Sequence, residues 1–544
     1  MREAEAGEYD WHQHQQGFAM SSKTVSVREA TFTLLRELGI NKVFGNPGST
    51  ELPMFRDFPE DFSYVLGLQE STVVGMADGY AQATHNASFV NLHSAAGVGH
   101  AMGNIFTAYR NRTPMVITAG QQSRSLLQLE PFLFSTQATE LPRPYVKWAC
   151  EPARAEDVPA AIARAYYIAC LPPCGPTFVS IPVDDWDVQT APVPARKVST
   201  SMRAEATQID ALALALRNSK KPVFVIGGGV DREGGWDMLL QLAERHGALV
   251  WASPLIGRCG FPENHRLFAG FLPAFREDIC TRLQPHDVCV AIGAPVFTYH
   301  AEGVGDYTPP GLEVWQLTDD PDWAACAITG TAVYTSLAPA LRDLLDHPGP
   351  ATPAAQRGRA APARLLPTDP FPDSFLMQTL ADVRSADSII VEEAPSSRGP
   401  MQTYLPIVQS ETFYTCSSGG LGHGLPAAVG VALANPGRKV IALIGDGSAM
   451  YSIQALWSAA QLGLPITFII VNNRRYEALH HFAKRFGIKQ AVGTDLGGVD
   501  FAAIARAQGC DGLRVEHAAE LADSLRQAIA SPRPTLVEVM VSQG

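Results

Sequence analysis

The residues of this 544-residue chain best placed to do chemistry stand in its last fifth. Gly445-Asp446-Gly447-Ser448 follows an apolar run, 439–444, and Asn472-Asn473 closes the next one, 465–471. Such runs read as buried strands, and open α/β sheets bind ligands beyond the carboxyl ends of their strands. The glycines let the backbone approach an anion closely, and the helix that follows offers unpaired N–H groups and a positive dipole end to a phosphate. Asp446 supplies an anionic oxygen and Asn473 a neutral amide oxygen, the hard donors that Mg²⁺ prefers, with phosphate oxygens and water completing the shell. Gly-Asp-Gly alone is often only a turn. Followed by an asparagine pair 26 and 27 residues after Asp446, each motif behind its own strand, it points to a phosphate held through a metal.

The elements that must position these residues form the last of three blocks. Over 23–190 the pattern gives a helix at 27–38, strands at 42–44, 64–68, 88–92 and 115–118, and a helix starting near Glu70. A Pro/Ser/Thr stretch at 190–201 leads to a second block, 204–346, with strands at 222–229, 248–252 and 287–293. There Gly227-Gly228-Gly229 departs from the GxGxxG spacing of a nucleotide site and reads as a tight strand-to-helix turn, a phosphate cradle being the alternative. Residues 347–369, rich in Pro, Ala and Arg, form a linker to the third block, 370–544. Strands alternating with helices predict an α/β protein of three doubly wound domains, each a parallel sheet covered by helices. No internal repeat is visible in the sequence. Residues 1–22 are polar, lack the apolar core of a signal peptide, and read as a disordered extension.

Composition sets outer bounds. A net charge of −12 leaves no cationic excess to neutralise nucleic-acid phosphates. No apolar stretch is long enough to predict a membrane span. The nine cysteines are scattered and odd in number, which suits reduced thiols in a cytoplasmic protein.

Longer matches then narrow the class. Val43-Phe44-Gly45-Asn46-Pro47-Gly48-Ser49, Ala77-Asp78-Gly79-Tyr80-Ala81, Asn91-Leu92-His93-Ser94-Ala95-Ala96-Gly97, Ile292-Gly293-Ala294-Pro295-Val296-Phe297 and Gly419-Gly420-Leu421-Gly422 resemble the thiamine-diphosphate-dependent decarboxylases, most closely the benzoylformate decarboxylases. The resemblance runs from about Val27 to Met540. It implies pyrimidine-binding, central and diphosphate-binding domains, thiamine diphosphate and Mg²⁺ as cofactors, and a homodimer or homotetramer. In such an assembly Glu70 of one chain meets Asp446 of another.

Residue by residue, the resemblance makes Glu70 the acid that hydrogen-bonds the aminopyrimidine, Ser49 a binder of the substrate carboxylate, and His93 and His300 proton-transfer groups. An imidazole suits that task because its pKa lies near neutrality. Gly419, through its carbonyl, and Leu421, as a wedge, would hold the cofactor. Gly445, Asp446, Gly447, Ser448, Asn473, Tyr476 and Ser396 would surround its diphosphate. Asp446, Asn473 and the carbonyl of Arg475 would ligate the metal, and Phe132, Leu133, Ala478, Leu479 and Phe482 would line the substrate pocket. Other functions for the residues are possible on their own terms: Glu70 as a helix cap, His93 as a packed core histidine, Leu421 as ordinary core.

Two segments depart from that pattern. Arg474-Arg475-Tyr476-Glu477 stands where a small turn is expected, with His480-His481 beyond it. In Glu392-Glu393-Ala394-Pro395-Ser396-Ser397-Arg398 a hydroxyl-rich loop has lost a hydroxyl and an N–H at Pro395. Arg398 reads as either a solvated surface arginine or a partner for a phosphate or carboxylate. These extra charges predict a 2-keto acid larger or more polar than benzoylformate. A carboligase or lyase on the same cofactor, of the acyloin, benzaldehyde-lyase or acetolactate-synthase type, is the alternative. A flavin-dependent oxidase and a non-catalytic relic of the fold are weaker alternatives.

Overall fold

The computed structural model describes residues 24–543; the extension expected over 1–22 lies outside them. Three six-stranded sheets carry the chain, and neighbouring strands run parallel throughout each. Parallel neighbours require crossovers, and the helices that make them bury both faces of the sheet. The strands are accordingly apolar runs without alternation: Val440–Gly445 and Thr467–Asn472 are buried along almost their whole length.

Counted in chain order, the strands of the first and third sheets are both arranged 2-1-3-4-6-5, whereas those of the central sheet run 3-2-1-4-5-6. The two outer domains thus share a topology that their sequences do not advertise as a repeat. In each sheet the order reverses beside the first strand, and the crevice at that reversal is where open α/β sheets take ligands. The reversals fall between Lys42–Gly45 and Ser88–Leu92, between Pro222–Ile226 and Val288–Ile292, and between Ile389–Glu393 and Val440–Gly445.

The first and third domains are joined by close packing of the helices Glu70–Thr84 and Gly424–Ala434. Glycines permit the approach. A Cβ on Gly79 would lie 2.2 Å from the Ala427 carbonyl oxygen, and one on Gly430 only 1.9 Å from that of Met76. Inside this contact Asp78 and His423, both fully buried, form an ion pair. Gln82 Nε2 and Asn111 Nδ2 also donate to Asp78 Oδ2, at 2.8 and 3.1 Å. Burial opposes charge on both partners, and the pairing overrides it. Asp78 is held below the usual carboxylate range and His423 above the usual imidazole value.

Residues 347–372 contain no helix or strand, yet they are docked rather than free. Gln356 Nε2 donates to the carbonyls of Pro222 and Gly247, and the Arg359 N–H donates to that of Phe268. Among the described residues no helix is long and apolar enough to cross a membrane.

Candidate active site

A cleft of about 450 Å³ opens at the reversal of the third sheet. It gathers His300, Ser396, Gly419, Leu421, Gly445, Asp446, Gly447, Ser448, Asn473, Arg475, Tyr476, Ala478, Leu479 and Phe482.

Asp446 comes directly off the strand Val440–Gly445. Its two carboxylate oxygens accept the N–H groups of Gly447 and Arg474, each at 2.7 Å, which fixes the carboxylate at the cleft floor. Burial pushes this carboxyl above its usual range, against the pull of the surrounding backbone N–H groups. A bound cation would offset that penalty. The two asparagines differ in role. Asn472 is used internally, donating to Glu538 Oε1 at 2.7 Å and accepting the Arg474 N–H at 3.0 Å. Asn473 lines the cleft, its amide oxygen accepting the Arg475 N–H at 3.1 Å. The Arg475 carbonyl accepts the Glu477 N–H at 2.9 Å.

Carboxylate, amide and carbonyl oxygens make a hard-donor set that is short of an octahedron, so it suits a Mg²⁺ ion that also takes phosphate oxygens. Among the described residues no group of three or more His, Cys, Asp or Glu side chains could hold a metal without such help. The glycines fit the same ligand. Gly419, at φ +73°, has no heavy atom within 4 Å of where a Cβ would stand, leaving open space. Tyr476 lies over Gly447, where a Cβ would come within 2.4 Å of the ring. Ser396 Oγ accepts the Ala478 N–H at 3.2 Å and ties the two departing segments together. The outer wall is aromatic: His300 and Phe482 stack at 4.5 Å between ring centroids, and Phe486 continues the stack at 5.9 Å.

Two of the expected charges of the departing segments, Arg398 and Arg475, are matched internally, which corrects the expectation that they stand as free cations at the rim; Arg474 is exposed. Arg398 is neither a solvated surface group nor available to a phosphate. Its guanidinium pairs with the fully buried Glu392 at 2.5 Å and donates to Thr415 Oγ1 at 2.7 Å. Arg475 pairs with the buried Glu477, which His481 also approaches at 3.5 Å. Glu393 is a residue that sequence reasoning left without a role. Its carboxylate accepts the N–H groups of Gly422 and His423, both at 2.7 Å, and that of Gly424, so it anchors the loop carrying Gly419 and Leu421. Its signal was a buried carboxylate ending an apolar strand.

Glu70, His93, Ser49, Phe132 and Leu133 do not line this cleft, so one chain splits the predicted set in two. The first three cluster at the reversal of the first sheet. Gln69 caps the helix, its side chain accepting the Thr72 N–H at 3.1 Å, so capping does not account for Glu70. Glu70 is largely buried, takes a long hydrogen bond from Asn46 Nδ2 at 3.4 Å, and faces His100 Nδ1 at 3.2 Å. His93 is half-buried, and its Nδ1 lies 2.7 Å from Glu51 Oε2. Glu51, 1% exposed, also escaped the sequence reading. It accepts the N–H groups of Gly48 and Gly120 and the hydroxyl of Thr50, at 3.1, 2.9 and 2.6 Å. A buried carboxylate so held orients the imidazole. Ser49 is exposed beside it, and Phe132, 87% exposed, lies on the loop after Met115–Gln121.

Comparison with known proteins identifies the family. Residues 25–140 match the N-terminal TPP-binding domain of thiamine pyrophosphate enzymes, 209–344 their central domain, and 396–539 their C-terminal TPP-binding domain. The chain belongs to the thiamine pyrophosphate enzyme family. It is 43% identical over 520 residues to a benzoylformate decarboxylase of Pseudomonas aeruginosa, covering 94% of this chain and 98% of that protein. Its fold matches the benzoylformate decarboxylase of Polynucleobacter necessarius with a TM-score of 0.94 at 38% identity, over 95% and 99% of the two chains. It matches the thiamine diphosphate-dependent 4-hydroxybenzoylformate decarboxylase of Rhodococcus jostii RHA1 with a TM-score of 0.92 at 39% identity, over 96% and 100%.

Proposed function

We propose that this chain is a thiamine-diphosphate- and Mg²⁺-dependent carboxy-lyase that removes CO₂ from an aryl 2-keto acid of the benzoylformate kind. The observation that carries the reading is one cleft with Asp446 and Asn473 at its floor and an apolar, aromatic wall of His300, Phe482, Leu479 and Ala478. The cofactor, when bound, supplies the electron sink for the bond that breaks. Asp446, Asn473 and the Arg475 carbonyl hold the metal, and Ser448 and Ser396 stand beside the diphosphate. Glu70 hydrogen-bonds the aminopyrimidine, Ser49 receives the substrate carboxylate, and His93, oriented by Glu51, moves a proton together with His300.

Because Arg398 and Arg475 already face buried carboxylates, the wall offers no reason for an anionic tail on the substrate. A neutral ring, plain or hydroxylated, fits it best. Relatives bearing the names benzoylformate and 4-hydroxybenzoylformate decarboxylase support the same substrate class.

The split of the site supports self-association. Large apolar side chains, Leu52, Leu68, Leu129 and Phe132, stand exposed on the segments that follow strands of the first sheet. We read this end as closing the third-domain cleft of a second copy, bringing Glu70, His93, Ser49 and Phe132 to it. The test of the function is CO₂ release by cofactor-loaded protein across 2-keto acids graded by size and charge. Highest kcat/KM for an aryl acid supports the reading. Absence of CO₂ release with ligation of aldehydes or cleavage of acyloins replaces it with the carboligase-lyase alternative.

A further inference from the structure

The helix Ser94–Asn111 starts just after His93 and carries a second histidine, which the proposed reaction does not use. His100 Nδ1 lies 3.2 Å from Glu70 Oε2. We propose that His100 is a positioning residue for Glu70, holding one carboxyl oxygen and relaying that group's proton to and from water. The role rests on the reading of Glu70 as the acid that meets the aminopyrimidine.

Glu70 divides its two oxygens. Oε1 takes the long bond from Asn46 Nδ2 at 3.4 Å, and Oε2 faces His100. Among the described residues no arginine or lysine comes within ion-pair distance of Glu70, and His100 is its one basic neighbour at that range. A carboxyl so enclosed needs a partner through which protons enter and leave, because a buried charge left unmatched is costly. His93 is committed elsewhere, to Glu51.

The approach of the two side chains is set by the helix itself. Gly97, His100 and Asn104 recur at the i, i+3, i+7 spacing of one helix face. A Cβ on Gly97 would stand 3.3 Å from Glu70 Cγ, so glycine there lets the carboxylate lie close against the helix, one turn before His100. Asn104, one turn beyond, donates to the Ser71 carbonyl at 2.7 Å and to that of Gly422 at 3.1 Å. Those bonds lock the helix to the start of Glu70–Thr84 and to the loop that carries Gly419 and Leu421. Histidine and the two residues that fix its distance thus share the face turned to Glu70.

The ring stays reachable from outside. The His100 side chain is 66% exposed, against 12% for that of Glu70. An imidazole can take a proton on one nitrogen while releasing one from the other, and it does so readily near neutral pH. The step balances: the Oε2–H bond of Glu70 breaks as the Nδ1–H bond forms, and Nε2 releases a proton to water. The reverse sequence reloads the acid.

The experiment compares wild type with His100→Ala, His100→Gln and Glu70→Gln in two measurements. In cofactor-free protein, the ¹⁵N signals of the His100 ring should move in Glu70→Gln, because the carboxylate facing Nδ1 is gone. With thiamine diphosphate and Mg²⁺ bound, exchange of the cofactor's C2 proton should slow about tenfold in His100→Ala, the scale of one lost charge-assisted hydrogen bond. His100→Gln keeps a hydrogen-bond donor but cannot relay a proton, so it should be as slow. Added imidazole should restore the rate in His100→Ala, which a purely structural loss would not allow. Ring signals unmoved by Glu70→Gln overturn the contact. Wild-type exchange in His100→Ala, or a loss there that glutamine repairs and imidazole does not, overturns the relay while leaving Glu70 its role. Wild-type exchange in Glu70→Gln overturns the reading of Glu70, and the relay with it.

Discussion

The first and third domains have the same strand order and place their polar clusters at the same reversal beside the first strand, yet they are built for different tasks. In the third domain the reversal is a walled cleft whose floor is a carboxylate pinned by backbone N–H groups, an arrangement suited to a cation and a phosphate. In the first domain the buried carboxylate Glu51 holds an imidazole, Glu70 faces His100, and exposed apolar side chains stand around them. On the reading proposed above, one scaffold thus yields a half-site complete within the chain and a half-site that faces outward. The difference lies wholly in the residues just past the strands, which is why a shared topology says nothing by itself about chemistry.

Variants can separate the two halves. The largest effect is expected from Glu70→Gln, which should lower turnover by about 10²–10⁴, the range for a lost proton-transfer group, while leaving cofactor affinity within about twofold. Loss of cofactor binding, measured by calorimetry, would place Glu70 in the wrong half. The join between the halves is tested next. Asp78→Asn should cost about 3–5 kcal/mol of stability in urea unfolding, because His423 would be left buried without its counter-charge. With Asp78 held below and His423 above their ordinary values, the pair contributes fully between pH of about 4 and about 6.5. Its contribution should fade as pH rises through the elevated His423 pKa, and as pH falls through the depressed Asp78 pKa. A wild-type pH–stability curve unchanged by His423→Phe would contradict this.

Asp446→Ala should weaken thiamine diphosphate binding by more than about 100-fold, beyond what an outer-shell partner is worth, and added Mg²⁺ should not restore it. The smallest change is expected of Glu51→Gln, which should lower kcat roughly tenfold through a mis-set His93 while KM and cofactor affinity hold. An equal loss from a distant, purely structural substitution would remove the positioning role.

Much of this was readable from residues. The apolar runs 439–444 and 465–471 announced two parallel strands, and the glycines, Asp446 and Asn473 announced what lay at their ends. The sequence could not tell which carboxylates meet which cations. Arg398 and Arg475 looked like free charges because their partners, Glu392 and Glu477, were known only as neighbours in the chain, with burial and side-chain direction set by packing. Glu51 and Glu393 were passed over for a related reason. A carboxylate's role here depends on backbone N–H groups from strands or loops some 30 to 70 residues away, as with Gly120 and Gly422, and no local pattern records that. The equivalence of the outer domains was hidden because topology is preserved by burial pattern rather than by residue identity.

The central claim is that Glu70 of one copy serves Asp446 of another, and mixing two inactive variants tests it most directly. Glu70→Gln and Asp446→Ala are dissociated, combined in equal amounts, reassembled with cofactor and assayed for CO₂ release. If each site draws its halves from two copies, random pairing restores about a quarter of wild-type activity, because one site in each mixed pair carries both native residues. If each chain builds its own site, every site in the mixture keeps one lesion and the activity stays at the level of the separate variants.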